Sequence, residues 1–332
     1  MAYTTIDNPE LYFQTKIYTG DGTTSNAQTF DGDENMQANM IWFKRRNGSA
    51  NHFLYDSVRG ANRSLVPNDT DTEATSGEQT TYLASFDSDG FTLGDDVNNI
   101  NASSQTYAAW AWKESATAGF DIVSYTGNGS ARTISHSLSA KPGFFVVKGR
   151  SYGEEWECYH TSLGATKCLQ LNATGGEDDL ANRFNDTEPT TSVFTVGDAD
   201  AVNKSSETYI AYLFSEKQGF SKFGSYTGNG DADGGFIYLG FRPAWFMCKN
   251  YQDAGDNWIV HDNKRDTFNV TDNGLAPNSA EAEFTDVDMD FLSNGVKMRN
   301  NTGRANSAKT FIYMAFAESP FVNSNGVPNN AR

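Results

Sequence analysis

The side chains that could carry out chemistry are few, and their spacing is unlike that of the common catalytic and metal sites. The chain has four histidines, His52, His136, His160 and His261, and none stands in an HxH, HExxH or cysteine–histidine spacing. No GxSxG sequence marks a serine nucleophile. We therefore expect no enzymatic activity and no cofactor.

The three cysteines are predicted to be buried, reduced thiols. Cys158, Cys168 and Cys248 are an odd number in a large chain, so they do not form a disulfide framework. A free cysteine packs as a small apolar side chain, although Cys158 and Cys168 could also face each other on adjacent strands. This pattern favours folding in a reducing cytoplasm.

Acidic residues cluster in short segments, at residues 31–35, 94–96, 177–179, 198–200 and 286–290. Alternating carboxylates in a loop can bind calcium. Met36 and Trp42, however, stand where an EF-hand loop opening at Asp31 requires glycine and glutamate. Calcium remains an option at these clusters, and the sequence favours solvated turns.

Aromatic residues near strand ends and loops are the candidates for ligand binding. An exposed ring can stack on the apolar face of a sugar while neighbouring asparagine and aspartate bond to its hydroxyls. The candidates are Trp156, Tyr159, Tyr251 and Trp258. Most other aromatic residues are expected in the core, where large rings belong.

Several landmarks recur three times along the chain. The pentapeptide YTGNG occupies residues 125–129 and 226–230, and YTGDG occupies residues 18–22. Similar apolar segments begin at Tyr107, Tyr209 and Phe311, a constant step of 102 residues. The landmarks define repeat 1 (residues 14–114), repeat 2 (120–216) and repeat 3 (220–318), with arms at residues 1–13 and 319–332. The chain is therefore predicted to be a tandem triplication.

Each repeat also carries polar residues at matching positions. A lysine ends one apolar strand of each repeat: Lys44, Lys148 and Lys249. A polar residue ends the next strand: Asp56, His160 and Asp262. An enzyme would keep one complete catalytic set, whereas this last position changes between repeats. We interpret it as a polar strand end.

The local patterns predict an all-β protein made of three tandem β-sandwich domains of jelly-roll type. Short apolar segments alternate with clusters of glycine, asparagine, aspartate and serine, and no sustained helical period occurs. The segments that begin at Tyr107, Tyr209 and Phe311 are apolar on both faces, which predicts a central strand buried between layers. The YTG(N/D)G motif is interpreted as a turn, because asparagine–glycine accepts positive φ. A phosphate-binding loop would need a helix start and a lysine next.

The composition excludes several classes of partner. The formal net charge is −17 and the isoelectric point is near 4.6, so phosphate backbones and anionic lipid are repelled. Apolar runs fall short of the roughly 20 residues that a bilayer span requires. We expect no nucleic-acid binding, no membrane insertion and no secretory signal.

Three long segments of the chain resemble those of a known protein family. YFQTKIYTGDGTT, FDIVSYTGNG and SSETYIAYLFSEKQGFSKFGSYTGNG occur in this order, and they resemble a tail-fibre-like virion protein family of marine bacteriophages, of the cyanophage type. The likeness covers nearly the whole chain. It implies a non-enzymatic virion protein that folds in the host cytoplasm, is released by lysis, and assembles with other virion proteins and as a homo-oligomer. It supplies no catalytic residues.

Two functions are compatible with these expectations. The first is a tail fibre or tail-associated component that contacts host cell-surface glycan. The second is a capsid or tail decoration (cement) protein with no receptor role. A glycan depolymerase is a weaker third alternative.

Overall fold

The computed structural model describes residues 3–75, 81–94 and 99–330 and confirms the all-β class. A 3₁₀ turn at Pro9–Leu11 precedes repeat 1. The strands of repeat 1 are β1 (Phe13–Thr19), β2 (Asn26–Gln28), β3 (Met40–Arg45), β4 (Phe53–Asp56), β5 (Leu83–Asp87), β6 (Gly90–Leu93) and β7 (Thr106–Trp112).

The elements of repeat 2 are β8 (Phe120–Thr126), β9 (Arg132–Ser135), β10 (Phe144–Gly149), β11 (Glu157–His160), β12 (Lys167–Gln170), β13 (Asp178–Asp179), α1 (Ala181–Phe184), β14 (Val193–Val196), α2 (Asp200–Asn203) and β15 (Thr208–Phe214). Those of repeat 3 are β16 (Ser221–Thr227), β17 (Phe236–Tyr238), β18 (Phe241–Asn250), β19 (Ile259–Asp262), β20 (Met289–Leu292), β21 (Gly295–Met298), α3 (Gly303–Asn306) and β22 (Thr310–Pro320). No helix among the described residues is long and apolar enough to cross a membrane.

Every repeat builds a main antiparallel sheet in which its last strand is central. The strand orders are β1-β7-β3-β4, β8-β15-β10-β11-β12-β13 and β16-β22-β18-β19. A smaller sheet accompanies each main sheet, with the orders β2-β6-β5, β9-β14 and β17-β21-β20. Two antiparallel sheets per repeat give the chain a β-sandwich-like architecture.

The register of the main sheets is also the same. The tyrosine of the YTG(N/D)G motif lies opposite the first aromatic residue of the last strand, and the paired rings stack in every repeat. The pairs are Tyr18 with Tyr107 (centroids 5.1 Å apart), Tyr125 with Tyr209 (5.2 Å) and Tyr226 with Phe311 (5.0 Å).

The central strand of each main sheet is buried on both faces, as its sequence predicts. In β7, Tyr107 and its alternate neighbours pack within repeat 1, whereas Trp110 and Trp112 pack into a core shared by all three repeats. The alternation of β15 is the same. Successive strand residues point to opposite faces, so each last strand joins its own sandwich to the shared core.

Three aromatic rings form the centre of this shared core. Trp112 and Phe214 end β7 and β15, Phe316 is the matching residue within β22, and each ring contacts the other two. The ring centroids lie 6.2 Å apart for Trp112 and Phe214, 5.7 Å for Phe214 and Phe316, and 5.6 Å for Trp112 and Phe316. The repeats therefore meet in one continuous apolar interior.

The repeated pentapeptide forms the turn after the first strand of each repeat. Its last glycine has a positive φ in every copy: Gly22 (69°), Gly129 (72°) and Gly230 (67°). In repeat 2 the amide of Gly129 donates to the carbonyl of Asn203 at 2.7 Å, and the Asn203 side chain accepts from the amide of Asn128 at 3.0 Å. Corresponding asparagines hold the other copies: Asn101 and Asn306. The motif is a turn held by a buried asparagine.

The described parts of the two arms contact each other and the link that precedes repeat 3. The hydroxyl of Thr4 donates to the carbonyl of Gln218 at 2.8 Å, and the amide of Ser324 donates to the Asp7 carboxylate at 2.7 Å. Ile6 is buried in the shared core. The described parts of both arms therefore pack against the rest of their own chain.

Candidate functional site

The aromatic residues expected to bind sugar are mostly buried, and this expectation is corrected. Trp156 and Tyr159 are 0% exposed, and Trp258 is 1% exposed. Tyr251 alone is half-buried, and it packs against the shared core. The four rings do not form a surface on which a sugar could stack.

Hydrogen bonds explain why the two tryptophans lie inside although polar residues flank them. The indole N–H of Trp156 donates to the carbonyls of Val66 at 3.1 Å and Asp69 at 3.0 Å, both in repeat 1. The indole N–H of Trp258 donates to the carbonyl of Gln170 in repeat 2 at 3.0 Å. A buried indole N–H usually has such an acceptor, and for these two tryptophans the neighbouring repeat supplies it.

The polar residues at matching strand ends lie where repeats meet. Asp56 ends β4, and its carboxylate accepts from the hydroxyl of Tyr212 in repeat 2 at 2.6 Å. Asp262 ends β19, and its carboxylate accepts from the indole N–H of Trp110 in repeat 1 at 2.9 Å. Both carboxylates are fully buried. They are strand ends as expected, but each also binds another repeat.

His160 completes this set of contacts. It ends β11, its Nε2 lies 3.0 Å from the carbonyl oxygen of Tyr313 in repeat 3, and its Nδ1 accepts from the amide of Ser162 at 3.1 Å. A neutral ring protonated at Nε2 satisfies both contacts. The three strand ends thus connect repeat 1 to 2, 2 to 3 and 3 to 1, and the contacts close a ring.

Buried arginines neutralise the two aspartates. Arg59 Nε lies 2.5 Å from Asp56 Oδ2, and Arg265 Nε lies 2.5 Å from Asp262 Oδ2. Burial opposes ionisation of Asp262, but the charge and hydrogen bonds of Arg265 outweigh it and lower the pKa of that carboxyl. Within the described parts of the chain His160 has no charged partner, and burial lowers its pKa to about 4.

The three matching lysines also bind across the repeats. Their ammonium groups donate to backbone carbonyls of a neighbouring repeat: Lys44 to Ala280 (3.0 Å), Lys148 to Thr70 (2.9 Å) and Lys249 to Thr174 (3.3 Å). Burial lowers the pKa of Lys44 to about 7 and those of the other two to about 8. These groups close the same ring as the strand ends.

Backbone hydrogen bonds reinforce each interface. The amide of one acidic residue donates to a carbonyl of the next repeat: Glu73 to Arg150 (2.8 Å), Glu177 to Tyr251 (2.7 Å) and Glu283 to Arg46 (2.9 Å). Two of these pairs are also ion pairs, Glu73 with Arg150 and Glu283 with Arg46. Tyr251 replaces the arginine at the third interface, which therefore lacks the ion pair.

The enclosed space between the repeats is small. A cavity of about 30 Å³ lies among apolar side chains that include Trp112, Phe214 and Trp245. That volume holds about one water molecule, so it cannot admit an organic substrate. The recurrent polar groups around it are engaged in contacts between repeats.

The structure shows the surroundings of the three cysteines and of most candidate metal ligands. Among residues 3–75, 81–94 and 99–330, no three His, Cys, Asp or Glu side chains converge as metal ligands. The acidic cluster at residues 94–96 lies largely outside the described residues. Cys158, Cys168 and Cys248 are buried free thiols, as predicted, and burial raises their pKa values.

The fold and the interfaces between the repeats define an all-β protein whose three main sheets share one core. The chain belongs to the family described as "Domain of unknown function (DUF7483)", whose sequence profile matches residues 8–320. The matched region includes all three repeats and their interfaces. No curated protein matches the chain.

Proposed function

We propose that the protein is a non-enzymatic structural component of a bacteriophage particle, built from three copies of one ancestral repeat that act as a single body. The resemblance to tail-fibre-like virion proteins supports the particle role. The closed ring of contacts between repeats is the observation that carries the structural role, because the recurrent polar side chains hold the repeats together.

The first candidate position is the tail, as a tail-associated component that assembles with other virion proteins and with further copies of itself. Such a protein folds in the host cytoplasm and leaves the cell by lysis. Contact with host cell-surface glycan belongs to this candidate. It requires exposed groups other than Trp156 and Trp258, which are buried.

A decoration protein of the capsid or tail is the second candidate. One observation favours it: the contacts connect repeats 1, 2 and 3 cyclically, in the manner of a closed trimer rather than a linear string. A body of this kind suits attachment at a position of threefold symmetry.

Antibody labelling of purified particles tests the proposal. We expect gold-labelled antibody against the protein to mark the tail of intact particles in electron micrographs. An even coat on the head would select the decoration role. Particles that lack the protein, both by labelling and by mass spectrometry of their proteins, would contradict both positions.

A further inference from the structure

We infer that the cleft beside β17 is a saccharide-binding site, with the exposed ring of Tyr238 as its platform. This deepens the proposed function, because it supplies the exposed groups that glycan contact requires. The inference rests on the proposed function for where the glycan comes from. The binding chemistry is argued from the cleft alone.

Two aromatic rings are exposed on one face of β17. Phe236 is 47% exposed and Tyr238 is 50% exposed, whereas Ile237 between them is 5% exposed. Alternate residues of a strand share a face and lie about 6–7 Å apart. β17 is also an edge strand of its sheet. The two rings therefore form a short aromatic strip on an open side of the protein.

A polar cleft of about 300 Å³ lies next to this strip. Tyr238 forms part of its wall together with Tyr3, Glu216, Gln218 and Lys222. This volume falls at the lower end of the range typical of small-molecule sites. It is about ten times the volume of the enclosed cavity between the repeats.

The polar side chains of this cleft are available for a ligand. Glu216 and Gln218 are exposed, and within the described part of the chain their side chains take part in no hydrogen bond or ion pair. The Lys222 ammonium lies over the Tyr238 ring, 5.1 Å from its centre. A carboxylate and an amide are thus offered beside an aromatic ring that has an ammonium group over one face.

The wall of the cleft is held in place before any ligand binds. The hydroxyl of Tyr3 donates to the carbonyl of Gly240 at 2.8 Å and lies 3.5 Å from the hydroxyl of Tyr238. Gly240 has φ +82°, and a Cβ atom there would lie 2.6 Å from the Tyr3 hydroxyl. A preformed wall lowers the entropy cost of binding.

This chemistry favours a saccharide over the other ligands. An aromatic ring presents an apolar face for a pyranose, and mixed donors and acceptors suit its hydroxyls. One carboxylate and one ammonium balance each other, so a neutral sugar is preferred. A peptide added to the edge of β17 would gain few main-chain hydrogen bonds, because that strand has only three residues.

Binding of the full chain, displayed on beads, to an array of neutral and acidic oligosaccharides tests the inference. We expect signal on neutral oligosaccharides and at least a tenfold loss for Tyr238→Ala, with Tyr238→Phe keeping most of the signal because it keeps the ring. Phe268→Ala is the matched control, since Phe268 is 77% exposed and lies outside the cleft, and its signal should equal that of the wild type.

Three results would overturn the site: no signal on any oligosaccharide, an equal loss with Phe268→Ala, or binding to an extended peptide in place of sugar. Circular dichroism and the thermal midpoint of each variant show that the fold is kept. The particle labelling described above is independent. Protein present in particles but without sugar binding would overturn the site alone, whereas sugar binding by a protein absent from particles would overturn the particle role alone.

Discussion

The hydroxyl of Tyr212 donates a 2.6 Å hydrogen bond to the carboxylate of Asp56, across the boundary between repeats 2 and 1. Both side chains are at most 1% exposed, and the Arg59 guanidinium neutralises the same carboxylate. A polar contact buried this deeply is costly to leave incomplete. The phenolic hydroxyl of Tyr212 is therefore one of the buried contacts that hold repeats 1 and 2 together.

Tyr212→Phe removes that hydroxyl and keeps the ring. We expect the free energy of unfolding to fall by about 1–3 kcal/mol, because a buried charged acceptor loses its donor. Urea denaturation measures the change. Tyr152→Phe is the control, since the Tyr152 hydroxyl makes no hydrogen bond within the described residues. Equal stability of the two variants would show that the contact contributes nothing.

The buried histidine at the corresponding position makes stability depend on pH. Burial lowers the pKa of His160 to about 4, against about 6.5 in the unfolded chain. Between these values the unfolded state binds more protons than the folded state, so stability falls as the pH falls from 6.5 to 4. We expect a shallower loss of unfolding free energy between pH 7 and 5 in His160→Gln. The same slope in the variant and the wild type would argue against this assignment.

Two glycines of one pentapeptide should respond differently to substitution by alanine. A Cβ atom at Gly127 would lie 2.1 Å from the Lys204 carbonyl oxygen, which requires the backbone to move. At Gly129 there is space, and the cost is the positive φ of 72°, about 1 kcal/mol. Thermal denaturation should therefore rank Gly127→Ala as the more damaging variant. Gly175→Ala, with no atom within 4 Å of its Cβ, should be neutral, and the reverse ranking would refute the close approach.

The centre of the shared core should tolerate truncation poorly. Phe214→Ala removes a ring that contacts both Trp112 and Phe316, and such changes cost about 3–5 kcal/mol. Phe236→Ala, at a ring that is 47% exposed, should cost less than about 0.5 kcal/mol. Comparable losses in both variants, measured by urea denaturation, would contradict the position assigned to Phe214.

Much of the fold could be predicted from the sequence because its signals are local. The two apolar faces of β7 indicate a doubly buried strand, and asparagine–glycine indicates a turn with positive φ. The periodicity of a strand shows which residues share a face. It does not show which other part of the chain packs against that face. The contacts of Trp110 and Tyr212 with other repeats were therefore beyond the reach of the sequence patterns.

The two tryptophans that were expected at the surface show the same limit of sequence patterns. Trp156 and Trp258 have polar neighbours along the chain, which suggested the surface, whereas their indole N–H groups bind carbonyls of the adjacent repeat. His52 stands at the matching position of repeat 1, and its Nε2 lies 3.0 Å from the carbonyl oxygen of Ala276 in repeat 3. The sequence does place a side chain with a ring N–H at this position in every repeat, and that recurrence indicates a shared structural role. The strip on β17 gave no such signal, because it occurs in one repeat only.

Differential scanning calorimetry of the intact chain tests the central claim, that the three repeats form one structural unit. A shared core predicts a single transition in which the calorimetric and van't Hoff enthalpies agree, and it predicts that Phe214→Ala shifts this whole transition to lower temperature. Two or three separate transitions, with only the one belonging to repeat 2 moved by Phe214→Ala, would contradict the claim.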